Sequence, residues 1–443
     1  MHFIRSLYFS NRLYLGLAGL VVLFVLSFFL PLLLVFSKIA FGVLLLCFLL
    51  DLFLLYRTKK GTFASRSMQE KLSNGSDNDI YLYLENKYSF SLHAEVIDEL
   101  PFQFQKRDNL FRVYIPGGRT HVLHYTLRPT KRGSYHFGAI NVFALGPLQL
   151  VKRRYRFAQD QEVPVYPSFI QMRHYELMAI SNKLQEVGTK RVRRIGNSSE
   201  FEQIRPYVTG DDQRTINWKA SARRSELMVN SYQDERSQQV YCLIDKGRVM
   251  QMPFEGLTLL DYAINASLVI ANIALKKQDK AGIITFSNTI SNLLPAQRKP
   301  DQIRRILELL YNQKTHYQET DYERLYVAVR QKVTQRSLLL LFTNFETLSG
   351  CRRQLPYLRA LARHHLLVVV FFENTELHTL LHKPAANTEE VYTKAIAQKF
   401  DYEKRQIVKE LQQHGILTIL TPPEQLTVNT INKYLDIKAR GMI

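Results

Sequence analysis

Gln239-Val-Tyr-Cys-Leu-Ile-Asp245 decides the fold. Its apolar run has no polar residue at alternate positions, which is how a strand buried on both faces reads. The run ends in a carboxylate. Similar runs recur at Ala281-Gly-Ile-Ile-Thr-Phe286, Ser337-Leu-Leu-Leu-Leu-Phe342, Leu366-Leu-Val-Val-Val-Phe-Phe372 and Ile416-Leu-Thr-Ile-Leu420. Segments of helical spacing separate them. Leu260, Ile264, Leu268 and Ala271 share a face between Leu257 and Gln278, and Ile303, Ile306, Leu307 and Leu310 do so between Pro300 and Asn312. Leu355 to His365, Glu389 to His414 and Glu424 to Ile437 read as further helices. Strands alternating with helices predict an α/β unit over 239–443, a doubly wound parallel sheet covered on both faces. Ligands in such folds bind beyond the carboxyl ends of the strands. Asp245 and Asn344 stand at two such ends.

The chain has 443 residues, 46% hydrophobic and 22% charged, which excludes a disordered or low-complexity protein. Lys and Arg exceed Asp and Glu to give a net charge of +20. Three cysteines in 443 residues are too few for a disulfide scaffold and suit a reducing compartment, and their spacing matches no metal finger.

Leu13 to Tyr56 is nearly continuous hydrocarbon, with Lys38 and Asp51 as its charges. One membrane span takes about 20 apolar residues, so this stretch holds two. Pro31 and Ser37-Lys38 mark the expected reversal, giving helices at about 13–34 and 39–56 in a transmembrane hairpin over 1–60. A secretory signal is excluded, because its apolar region is shorter and ends in a small-residue cleavage site. Arg5 and Arg12 precede the pair, and Arg57, Lys59, Lys60 and Arg66 follow it. Cations flanking both ends place both flanks, and the rest of the chain, in the cytosol.

From about Ile80 to Ser168, within a β-sandwich-like domain expected over 61–170, the hydrophobic period becomes two. Ile80–Leu84, Phe111–Ile115, His121–Leu127 and Ala139–Phe143 read as strands separated by Gly and Pro, as in an antiparallel β-sandwich. Lys152, Arg153, Arg154 and Arg156 form one basic run, and Lys190, Arg191, Arg193 and Arg194 another. No recognition module or interleaved aromatics accompany them, so they read as solvated or lipid-facing surface, with no nucleic-acid partner.

Residues 171–238 read as a linker carrying a dense motif, Gly196-Asn-Ser-Ser-Glu-Phe-Glu-Gln-Ile-Arg-Pro-Tyr-Val-Thr-Gly-Asp-Asp-Gln-Arg-Thr-Ile-Asn-Trp-Lys-Ala-Ser-Ala-Arg223, with the chain's only tryptophan. Glu200 to Glu235 holds seven acids and five bases, which points to paired charges and not a basic patch. Arg205, Arg214 and Arg223 suit bidentate contacts with Glu202, Asp211 and Asp212. Gly210 before two aspartates reads as a tight turn. The motif can lock two domains together, dock a partner, or carry acid–base chemistry on Asp211 and Asp212.

The pattern Glu200, Phe201, Arg205, Tyr207, Gly210, Asp211, Asp212, Arg214, Asn217, Trp218, Ser221 and Arg223 resembles the signature of the domain of unknown function 58 (DUF58) family. The hairpin, a β region containing Lys131-Arg132-Gly133-Ser134-Tyr135 and the α/β segment resemble the same family. The resemblance implies a bacterial inner-membrane protein with a von Willebrand factor A-like domain, working beside a MoxR-type AAA+ ATPase. It implies no established reaction.

Intact von Willebrand factor A domains hold a metal with D-x-S-x-S, a distant Thr and a distant Asp. Here the run is Asp245-Lys-Gly247-Arg-Val249, Thr320 matches the threonine, and Thr343-Asn344 replaces Ser-Asp. The degenerate set holds too few hard oxygen ligands for Mg²⁺, so no cofactor or metal is expected. His378 and His382 have i,i+4 spacing without the glutamate of a metalloprotease motif, and read as surface residues. No phosphate loop or nucleophile elbow is present. The reading is a non-catalytic membrane adaptor. The alternatives are an enzyme built on Asp211, Asp212 and Arg214, or a metal-dependent ligand-binding protein built on Asp245.

Overall fold

The computed structural model describes residues 5–106, 109–180, 201–207, 216–224, 226–232, 237–315, 317–382, 384 and 387–442. For 177–180, 201–205, 230–232, 378–379 and 382 it describes the backbone alone. The chain divides into two compact units, Met1–Tyr166 and Pro167–Ile443.

The first unit opens with two apolar helices, Asn11–Phe29 and Leu32–Arg57, each long and apolar enough to cross a membrane. The reversal falls at Leu30-Pro31, six residues before the expected Ser37-Lys38. Proline has no amide to donate, so the first helix ends before it and the second starts after it. Ser37 sits inside the second helix because its hydroxyl donates to the Leu33 carbonyl at 2.8 Å, which removes the cost of a polar group in an apolar helix.

A β-rich region follows. A five-stranded antiparallel sheet runs in the order Leu7–Phe9, Val151–Phe157, Ile140–Leu145, Leu92–Asp98, Leu110–Ile115. Thr62–Met68, Asn78–Asn86 and Thr120–Leu127 form a second antiparallel sheet. Ala64, Leu82 and Leu84 of the second share one core with Ala94, Val96, Val142 and Ala144 of the first. Tyr81 and Tyr83 point outward, the period of two that the sequence shows. A buried ion pair between Arg66 and Asp98 ties the two sheets, and the Tyr125 hydroxyl also donates to Asp98. Removing one partner of such a pair costs about 3–5 kcal/mol.

The strand Leu7–Phe9, before the first helix, pairs with Val151–Phe157, while the second helix ends inside the β core, with Leu55 fully buried. Both ends of the hairpin therefore enter the same β region. Arg153 donates to the Leu55 and Thr58 carbonyls at 2.6 and 2.8 Å and to that of Lys59 at 3.0 Å. A cation there also complements the helix dipole. Asp51 is fully buried: its carboxylate accepts from the amides of Leu148, Leu150 and Val151 at 3.0–3.2 Å. The basic run 152–156 thus lies on a strand, where Lys152, Arg153 and Arg154 have protein partners. Lys152 reaches Glu95, and Arg154 reaches the Asn141 side chain. The second basic run, 190–194, lies outside the described residues.

The second unit begins with Phe169–Ile180, a helix on the expected linker. It packs on Leu259–Lys276 through Met172 and Tyr175, and Glu176 bridges Asn272 and Lys276 at 2.9 Å each. The sheet order is Ile290–Gln297, Lys280–Phe286, Gln239–Asp245, Leu338–Phe342, Leu366–Phe372, Leu417–Thr421. Five strands are parallel. Ile290–Gln297 runs antiparallel to Lys280–Phe286, so the sheet is mixed and not wholly parallel as expected. Three residues, 287–289, connect those two strands, which permits only a hairpin. The continuous apolar runs feed two cores. Cys242, Ile244, Leu340 and Phe342 face Leu259–Lys276, while Leu243, Leu339 and Leu341 face Leu325, Leu358 and Leu411. Leu259–Lys276 is also apolar enough to span a membrane, but 83% of that stretch is buried, so it is a core helix. Thr258 and Asp261 close a capping box at its start.

Candidate functional site

The carboxyl ends of Gln239–Asp245 and Leu338–Phe342 meet the loop before the Tyr322–Lys332 helix. Parallel pairing of the two strands brings Asp245 beside Thr343. The Asp245 carboxylate is fully buried. One oxygen accepts from the Thr320 hydroxyl at 2.6 Å and the Gly247 amide at 2.7 Å. The other accepts from Thr343 at 2.7 Å and Tyr322 at 3.4 Å. Tyr322 and Thr343 also share a 2.7 Å hydrogen bond. Burial pushes the Asp245 pKa above the usual carboxylate range, and the four donors oppose that shift. Burial and the Asp245 charge raise the Tyr322 phenol as well. Tyr322 is wedged between Phe286 and Phe345, which fixes its hydroxyl.

These residues do not fit a divalent ion. Mg²⁺ requires near-octahedral oxygen ligands, and both Asp245 oxygens are already engaged by protein donors. Gly247 and Val249 carry no side-chain oxygen. A Cβ on Gly247 would overlap the Thr320 hydroxyl, so a serine there has no room. The Asn344 side-chain oxygen, Oδ1, accepts from the Lys404 ammonium at 2.5 Å. Among the described residues, no group of three His, Cys, Asp or Glu could hold a metal. The fold brings together Asp245, Gly247 and Thr320, and Val249 and Asn344 also border this small cleft. The sequence pointed to these residues but gave no sign of Tyr322.

An adjoining cavity of about 320 Å³, which shares Asn344 and Glu346 with this cleft, lies beyond the Leu338–Phe342 and Leu366–Phe372 strands, walled by Leu259, Phe372, Leu377, Leu381 and Phe400. Lys404 enters it from the Thr388–Gln413 helix. Burial lowers the Lys404 pKa to about 8 even though Glu346 and Glu373 favour its charged form. Lys404 stands one helical turn after Phe400 and looks like any charge on an amphipathic helix, so periodicity cannot single it out.

The signature motif is described in part. Phe201 to Pro206 forms a strand antiparallel to Met228–Tyr232, with Arg205 opposite Val229. The Tyr207 amide donates to Leu227 at 2.7 Å. Asn217 caps the short Trp218–Arg224 helix: its side-chain oxygen accepts from the Ala220 amide at 3.0 Å. The Ser221 hydroxyl donates to the Asn217 carbonyl at 2.8 Å and accepts from the Met228 amide at 2.9 Å. The backbone around Trp218 is therefore fastened, yet the residue is 70% exposed. Lys219, Arg223 and Arg224 stand exposed beside it. Glu200, Gly210, Asp211, Asp212 and Arg214 lie outside the described residues, as do the side chains of Phe201, Arg205, His378 and His382.

Residues 203–403 match the family described as protein of unknown function DUF58. The DUF58 stretch takes in the Trp218 helix and the Asp245 cluster. The chain is also 28% identical over 256 residues to the uncharacterized protein YeaD of Bacillus subtilis (strain 168). That match covers 56% of this chain and 61% of the relative's length. Among solved structures, a conserved hypothetical protein, BatB, from Bacteroides thetaiotaomicron is 13% identical at a TM-score of 0.30, covering 46% of this chain and 99% of that one. A CARDB domain from Pyrococcus furiosus is 14% identical at a TM-score of 0.15, covering 24% and 91%. At these scores neither alignment fixes a unit's fold.

Proposed function

We propose that this protein is a non-catalytic adaptor of the bacterial cytoplasmic membrane. Its hairpin inserts in the bilayer and the β-rich unit holds the hairpin. A von Willebrand factor A-like α/β unit offers a cytosolic docking surface to a MoxR-type AAA+ ATPase.

The exposed Trp218 on a fastened backbone carries this reading. Trp with flanking Arg is the usual make-up of a binding hot spot, and Trp218 has Arg223 and Arg224 exposed on the same short helix. The Asp245 cluster agrees: a carboxylate at the central strand end, where such folds place their chemistry, is closed off by its own hydroxyl partners. Entry of both hairpin ends into one β region agrees with two spans and both flanks on one side. Cations at both flanks favour the cytosol.

The test is co-purification of the detergent-solubilised full chain with the MoxR-type ATPase of the same bacterium, trapped with a non-hydrolysable nucleotide. The wild type should retain the ATPase and Trp218→Ala should lose it. Failure of the wild type to retain it in any nucleotide state would overturn the ATPase assignment.

A further inference from the structure

The outer face of the five-stranded sheet carries a cavity of about 430 Å³ beside the first turn of the Asn11–Phe29 helix. Arg12, Arg112 and Lys152 line it, with Glu95 as its carboxylate. Glu95 binds Lys152 at 2.5 Å and lies 3.7 Å from Arg112, so one carboxylate positions two cations. Arg12 is exposed and forms no ion pair among the described residues. Three cations against one acid leave the cavity with an excess of positive charge.

Its place in the fold says what covers it. Ser10, buried between the Leu7–Phe9 strand and the helix, caps the helix by accepting from the Arg12 amide at 3.0 Å, while its own amide donates to the Leu150 carbonyl. Beyond Arg12 the helix is hydrocarbon, so this turn marks the passage from polar to apolar surroundings. Exposed Tyr8, Phe9 and Tyr14 ring the same level, with Phe9 and Tyr14 in edge contact at 6.4 Å. Aromatic side chains at that level are typical of a bilayer interface.

We propose that this cavity binds the phosphodiester headgroup of an anionic phospholipid, held by Arg12, Arg112 and Lys152. The inference rests on the membrane reading of the hairpin. An anionic headgroup supplies the missing negative charge, and its acyl chains continue alongside the helix without leaving the bilayer. Basic pockets beside spans on the cytoplasmic side are suited to such headgroups.

The full chain is reconstituted in nanodiscs of phosphatidylcholine mixed with phosphatidylglycerol, and retained lipid is read by native mass spectrometry after release into detergent. The wild type should keep phosphatidylglycerol in preference to phosphatidylcholine. Arg12→Gln, which breaks no ion pair, should lower that retention about fivefold, and adding Arg112→Gln and Lys152→Gln should lower it further. Equal retention of the two lipids, or retention unchanged in both variants, would overturn the site. Displacement of the lipid by inorganic phosphate at cytosolic concentration would mark it as a free-anion site and overturn the lipid assignment. A chain that stays out of the discs sinks the membrane reading instead, whereas incorporation without lipid preference sinks the headgroup site alone.

Discussion

Thr320 occupies the space that a side chain on Gly247 would need, and from there it donates its hydroxyl to Asp245 at 2.6 Å. Gly247 is thus more than a lost hydroxyl. Restoring serine or alanine at 247 should overpack the site and cost about 1–3 kcal/mol. Chemical denaturation of the full chain in detergent checks this, read through the α/β unit's far-ultraviolet signal. Unchanged stability, or a Mg²⁺-dependent gain for Gly247→Ser, would contradict the sealed site.

Asp245 titrates with a defined sign. Its folded pKa is raised by burial, so the native state binds the proton more tightly than the unfolded chain does. Its contribution to stability is full below the ordinary value of 3.8 and is lost as pH rises through the folded value. Asp245→Asn should remove that component, so the difference between wild type and variant varies with pH over this window. A difference independent of pH would contradict it.

Lys404 is shifted the other way. With a pKa lowered to about 8, its stability contribution is full above the ordinary 10.5 and is lost as pH falls through about 8. Near pH 8 about half the amine is neutral, against well under a hundredth for an exposed lysine. Acetylation followed by peptide mapping should find Lys404 reacting with a midpoint near pH 8. A profile matching the surface lysines would contradict the buried-amine description.

Asp51 anchors the second apolar helix to the turn at Leu148–Val151. Asp51→Leu removes the acceptor of three amides, at about 1–3 kcal/mol for each left unpaired. Hydrogen exchange at Leu148, Leu150 and Val151 should accelerate at least about tenfold, while Ile80 to Leu84 on the other sheet stays protected. Equal acceleration everywhere would mean global unfolding, and no acceleration would mean the carboxylate does not hold the turn.

The sequence made the α/β unit legible because residues such as Leu338–Phe342 are buried on both faces and leave an unbroken apolar run. The edge strand Ile290–Gln297 was hidden because its exposed Ser291, Asn292 and Pro295 interrupt any pattern. Asp51 read as one charge within a span, since nothing local announces amides about a hundred residues away. Arg153 read as part of a basic run for the same reason: its partners are carbonyls at Leu55, Thr58 and Lys59, and carbonyls have no sequence signature. At the Asp245 site, Thr320 and Gly247 were legible from motif spacing. Tyr322 was not, because a tyrosine opening a helix is ordinary until the fold brings it to a carboxylate.

The most direct measurement compares binding of the nucleotide-trapped MoxR-type ATPase to nanodisc-embedded full chain, by biolayer interferometry, for wild type, Trp218→Ala and Asp245→Asn. On the proposed docking role, Trp218→Ala should weaken binding at least about tenfold, while Asp245→Asn should bind like wild type. Unaltered binding by Trp218→Ala together with loss in Asp245→Asn would contradict the account and place recognition at the strand end.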